Sequence, residues 1–232
     1  MSEQNPEPGL DRAPRRDLIA GMTAPLETWE RNDPRPLYHP ERMFQLFVRP
    51  RAYFQDPHKV RRGPYAFLLA LVAGIAWTVE RLALGPRAPI TSGWPGTWMW
   101  GSLVGLGVGV IVIWFLRGFW WHLRLRWSGA SRPRVGESQA AFAHTTFVWA
   151  LPTLVALGLD TFTFAAPGDS AAATRMWSLL AYCALLWSCY VSYRAARSLF
   201  QINRRASRLW FLYLPLAVYL ITPLILAYLG WS

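Results

Sequence analysis

The side chains best equipped for chemistry are few and stand far apart. His144 is followed by Thr145 and Thr146, one turn into an apolar run. An imidazole among hydroxyls can relay a proton, and it can equally sit neutral and hydrogen-bonded between helices. His144 and Thr145 are therefore the candidate polar site. Glu80 and Arg81 adjoin at the end of another apolar run, and Asp160 closes a third. Charge within a membrane helix marks ion or proton work, but these three stand at run ends, within reach of headgroups. His122 lies in a stretch rich in Trp and Arg and fits an interface. Cys183 and Cys189 are six residues apart, a spacing that puts them on different faces of a helix. With no CxxC or Cys/His cluster, structural zinc is not expected, and both cysteines read as small hydrophobes.

No GxSxG, HExxH or P-loop occurs. Gly105-Leu106-Gly107-Val108-Gly109 resembles a phosphate loop, but it lies inside an apolar run where it cannot cradle phosphate. The chain is expected to be no enzyme, with no catalytic residue, metal site or cofactor. A membrane-embedded enzyme acting on lipids would lack a catalytic constellation.

The elements that carry these residues follow from composition. Of the 232 residues, 53% are apolar, 16% are charged and 14 are Trp. A soluble domain carries about 25% charge, so this chain could not cover a water-facing surface. That argues against an ordinary soluble enzyme, a disulfide scaffold and a fully disordered chain. The first twenty residues lack the apolar core of a secretory signal. Residues 1–63 hold half of the 18 prolines and more than half of the charged residues. The remainder is five apolar blocks at about 64–84, 98–116, 140–159, 176–193 and 209–231. A crossing helix needs about 17–25 mostly apolar residues, and barrel strands would alternate in segments of about ten. The expected fold class is all-α, a polytopic bundle of five transmembrane helices.

Lys and Arg set its sidedness. The tail through Arg62 holds 11, the next connections two, five, one and five, and the C-terminus none. Alternate sides total 21 against three. The positive-inside rule then places the N-terminus in the cytoplasm and the C-terminus outside. The same alternation accounts for the net charge of +11 without nucleic acid as a partner. Trp94, Trp98, Trp100, Trp177 and Trp231 fit the outer interface. Trp120, Trp121, Trp127 and Trp210 fit the inner one.

Residues 1–40 read as a disordered cytoplasmic tail. Residues 41–63 read as an amphipathic interfacial segment leading into the bundle of residues 64–232. Six basic residues there accompany Phe44, Phe47, Tyr53 and Phe54, and Pro50 can open a short helix at no hydrogen-bond cost. Phe44, Phe47, Arg49, Pro50, Arg51, Tyr53 and Phe54 are the candidate docking residues, for anionic lipid of the cytoplasmic leaflet or for a cytosolic protein. Gly101, Gly105 and Gly109 make a smooth stripe that admits a close helix neighbour, within the chain or across a homo-oligomer. Pro152, Pro215 and Pro223 lie inside blocks three and five and can kink them. They are assigned to helix packing.

The order of motifs also carries a resemblance. "FVRPRAYFQDP" (Phe47–Pro57) precedes block one, and block two runs into "WWHLRLRWSGASRPRVGESQAAFAH" (Trp120–His144). "TTFVWALPTLVAL" (Thr145–Leu157) opens block three around Pro152, and "RAARSLFQINRRASRLW" (Arg194–Trp210) joins the last two. Over residues 41–232 this resembles the bacterial branch of the Yip (Ypt-interacting protein) family. The resemblance implies five transmembrane helices, a cytoplasmic N-terminus and a very short exterior C-terminus. Eukaryotic members bind small GTPases in vesicle traffic, some through an acidic-Leu-Tyr-Gly-Pro stretch. Only Gly63-Pro64 of Arg61-Arg62-Gly63-Pro64 matches it, so GTPase binding is not carried over, nor is any catalytic residue. The 24 basic residues are all Arg but for Lys59, as in a GC-rich bacterium, whose cytoplasmic (inner) membrane is the expected location. The expected function is interaction or membrane organisation through the basic cytoplasmic face. The alternative is a small permease or transporter subunit that uses kinked spans three and five.

Overall fold

The computed structural model describes residues 40–56, 60, 63–84, 93–166 and 175–228. The tail assigned to residues 1–40 lies outside them, apart from Pro40, as do Arg61, Arg62, Arg87 and Trp231. Among the described residues every regular element is a helix and no strand occurs. Helices satisfy their backbone groups internally, which long apolar blocks require in lipid.

Two short helices, α1 (Pro40–Val48) and α2 (Pro50–Phe54), form the lead-in segment. Pro50 stands at the start of α2, where its missing N–H is not needed. Next come α3 (Gly63–Leu84), α4 (Trp94–Trp127), α5 (Val135–Thr163) and α6 (Arg175–Phe200). Last comes α7, residues 204–228, whose first turn is capped by the Asn203 side chain accepting from the Arg205 N–H. Both α4 and α7 contain a wider π-helical stretch, at Gly109–Arg117 and Leu209–Tyr213. Among the described residues three helices, α3, α4 and α5, are long and apolar enough to cross a membrane.

The helix of α4 outlasts its apolar run. Residues 117–127 mix Arg with Trp and Phe, whose stems and rings are partly apolar; no proline intervenes, and Gly118 is held in the helix by its packing against Gln139. At Gly129 the helix stops in a Schellman turn. Gly129 has φ +85°. Its N–H donates to the Arg126 carbonyl and the Ala130 N–H to the Leu125 carbonyl, both at 3.1 Å.

Small residues set the closest packing. Gly101 of α4 faces Val79 of α3, Gly105 faces Ile75 and Gly74, and Gly109 faces Leu71. The numbers run in opposite directions, so the two helices are antiparallel. A Cβ on Gly105 would lie 2.5 Å from the Ile75 Cα, so backbone meets backbone along this seam. Ala66, Ala70, Ala73 and Ala76 extend the small, fully buried face of α3.

The main core gathers Leu46, Tyr53 and Phe54 of the lead-in segment with Trp121, Leu125, Phe147, Val191 and Phe211. A smaller cluster of Val79, Ala83, Trp94 and Leu157 closes the other end. There Trp94 Nε1 donates to the Phe164 carbonyl at 2.9 Å and Trp98 Nε1 to Thr161 Oγ1 at 2.8 Å. Of these three long apolar helices α5 is the most enclosed and α4 the least. The outer face of α4 exposes Met99, Leu103, Ile111, Phe115 and Leu116. Such a stripe is unfavourable in water and suits contact with acyl chains.

Candidate functional site

The arginine-rich end of the bundle holds the candidate residues, and the lead-in segment lies across it with two faces. Pro50, Tyr53 and Phe54 are buried against the bundle. Phe47 is partly buried, its ring edge-on to Phe147 at 6.3 Å, and its carbonyl accepts from Trp187 Nε1 at 3.0 Å. Phe44, Arg49 and Arg51 remain exposed. The seven candidate docking residues thus divide into an anchored set and an outward set. A short amphipathic helix pair divides this way when one face meets protein and the other meets solvent or headgroups.

His144 is fully buried beneath this segment, between Tyr53 at 5.7 Å and Tyr65 at 5.9 Å, ring to ring. Its Nδ1 lies 2.8 Å from the Ala140 carbonyl oxygen, so Nδ1 carries the proton and donates. Nε2 is left without a partner. Thr145 Oγ1 donates to the Phe142 carbonyl at 2.8 Å, and Thr146 Oγ1 to the same oxygen at 3.0 Å. Both hydroxyls bond their own helix backbone, so the structure does not join Thr145 to His144 as a relay.

Between α2 and the last turns of α6 lies a groove of about 260 Å³ lined by Arg51, Gln55, Arg194, Arg197 and Ser198. Its two α6 arginines are held by tyrosines one turn back. Arg194 Nε donates to the Tyr190 hydroxyl at 2.8 Å, with its guanidinium 5.2 Å over the Tyr190 ring and 5.8 Å over that of Tyr193. Arg197 Nη1 donates to the Tyr193 hydroxyl at 3.3 Å. Three guanidiniums converge on the groove and no carboxylate lines it, an arrangement that attracts carboxylates and phosphates.

A second, smaller cleft of about 50 Å³ opens where α4, α5, α6 and α7 meet. Arg117, Trp121 and Arg124 enter it from α4, and Pro215 and Tyr219 from α7. Arg124 is 9% exposed, and its guanidinium stacks 4.6 Å over Phe211.

Gly101, Gly105 and Gly109 lie on the seam with α3. Pro152 is half-buried within an uninterrupted α5. Pro215 follows the π-helical stretch of α7 and lines the small cleft. Pro223 lies in α7, its side chain outside the described residues. Arg117, Arg124, Arg194 and Arg197 enter the sequence analysis only as topology charges and Trp121 only as an interface aromatic, none of them as a site residue. The Tyr190/Arg194 and Tyr193/Arg197 pairs carried a readable signal, an aromatic four residues before an arginine on one helix face. Nothing local distinguishes Arg124 from Arg126, which is exposed.

Comparison with protein-family models, with curated proteins and with solved structures finds no match for this chain.

Proposed function

We propose that the protein is a non-enzymatic integral membrane protein of Yip type with five spans. Its N-terminus lies in the cytoplasm and its C-terminus outside, in a bacterial inner membrane. It acts in interaction or membrane organisation through its basic cytoplasmic face. The observation that carries the reading is the groove between α2 and α6, where Arg51, Arg194 and Arg197 converge. Its volume of about 260 Å³ is more than a single small anion fills and suits an acidic segment of a partner protein. The motif order of residues 47–210 and the arginine asymmetry between alternate connections support the family and the orientation. The aromatic anchoring of the lead-in segment supports a fixed, preformed docking face, which lowers the ordering cost of binding.

The test is crosslinking and mass spectrometry on the full-length protein in native membranes, followed by copurification in mild detergent. An acidic partner crosslinked beside Arg51 and Arg197, and lost in the Arg51→Glu/Arg197→Glu double variant, is the expected result. Partner recovery unchanged by that double variant would sink the assignment of the groove.

A further inference from the structure

The cleft around Arg124 has features that bundle packing leaves unexplained. Arg124 Nε and Nη2 are fully enclosed and have no hydrogen-bond acceptor among the described residues, and the same holds for Trp121 Nε1. Arg124 is 9% exposed and Trp121 1%, and both line the cleft. Arg117 lines it as well, its guanidinium 6.0 Å over the Trp77 ring. No Asp or Glu is among the lining residues; the facing polar groups are Thr145 and Thr146 of α5, Ser188, Cys189 and Ser192 of α6, and Tyr219 of α7. An enclosed guanidinium is unfavourable without an anion or acceptor. Phe211 supplies a ring face, which attracts the cation but takes no hydrogen bond.

We propose that this cleft binds a phosphate oxyanion, supplied by the headgroup of an anionic phospholipid. Arg124 offers two donors in the fork that matches a phosphate edge, and the Trp121 N–H offers a third. The cleft, at about 50 Å³, admits one tetrahedral anion or a few waters. Depth favours the lipid as source. In the 34-residue α4, Arg124 stands 30 residues after Trp94, roughly 40–45 Å along the helix once the shorter rise of the π-helical stretch is allowed for. A bilayer measures about 40–45 Å with its headgroups, so a helix with Trp94 at one interface carries Arg124 to the opposite phosphate layer. Basic pockets between helices at that level take acidic headgroups. The inference rests on the membrane placement in the proposed function but not on the groove.

The experiment is native mass spectrometry of the full-length protein with phosphatidylglycerol, phosphatidylcholine or inorganic phosphate as the added probe. Wild type is expected to retain phosphatidylglycerol over phosphatidylcholine. Arg124→Gln should weaken that retention about tenfold or more, the worth of hydrogen bonds to a charged group. Ser192→Phe keeps Arg124 and fills the cleft, and it should weaken retention likewise. Protection from heat unfolding by inorganic phosphate alone, with no lipid retained, would overturn the lipid as source and keep the phosphate chemistry. Equal retention by wild type and both folded variants would overturn the site. Arg51→Glu/Arg197→Glu should leave lipid retention at the cleft unchanged, so failure of the groove and failure of the cleft read out separately.

Discussion

The Tyr53 ring lies 5.7 Å from the His144 ring, centroid to centroid, and both side chains are buried. One belongs to the lead-in segment and the other to α5, the most enclosed of the long apolar helices. This contact, with Phe54 and Leu46 beside it in the core, makes the segment part of the bundle. Replacing Tyr53 by Ala should cost about 3 kcal/mol, the typical price of a large-to-small change at a buried aromatic. Hydrogen exchange should then show residues 41–54 losing protection while α3 and α5 keep theirs.

His144→Phe should leave the protein folded. The larger ring presses on a fully buried site and the bond from Nδ1 to the Ala140 carbonyl is lost, while the unpartnered Nε2 disappears with the imidazole, so the net cost should stay within about 1–3 kcal/mol. Unfolding by heat in detergent checks this. A His144→Leu variant, which also removes both ring nitrogens without the larger ring, separates overpacking from loss of the imidazole: a large destabilisation in both would mean that the imidazole nitrogens hold the site together.

The seam between α3 and α4 gives a paired prediction within one turn. Gly105→Leu drives a side chain into the backbone of Ile75 and Gly74 and should destabilise by about 3 kcal/mol. Gly107→Ala meets nothing within 4 Å and should be neutral or slightly stabilising, because Ala is the better helix former. Melting temperatures of the two variants in the same detergent decide the matter.

Gly129→Val should destabilise the end of α4. The position needs φ +85°, which a β-branched side chain resists by about 1–2 kcal/mol. The loss should appear as faster hydrogen exchange at Ala130 and Gly129, the two donors of the Schellman turn.

Sidedness is checked by single cysteines in a Cys183→Ser/Cys189→Ser background. Ser131→Cys and Asn203→Cys should react with an impermeant maleimide only after the cells are opened. Thr163→Cys should react in intact cells. The reverse pattern would invert the proposed orientation and leave the bundle itself untouched.

Much of this architecture is written in local pattern. Apolar run length fixes helix type, because a backbone in lipid must bond within its own segment. The four-residue spacing of Gly101, Gly105 and Gly109 puts them on one face whatever they meet. The concentration of Arg in alternate connections is likewise a property of the chain alone. The end of α4 was less legible, since loss of apolarity after residue 116 is not loss of helix.

What the glycine stripe meets, which face of the lead-in segment is covered and which arginine is enclosed were decided by tertiary contacts. Trp187 Nε1 reaches the Phe47 carbonyl across 140 residues of sequence, and no local rule relates the two. Arg124 and Arg126 are two positions apart on one helix, yet only Arg124 turns into the junction with α5, α6 and α7. Local pattern determines the helices because their hydrogen bonds join near neighbours. The groove and the cleft arise where separate helices meet, so their shape and charge exist only once the bundle is assembled.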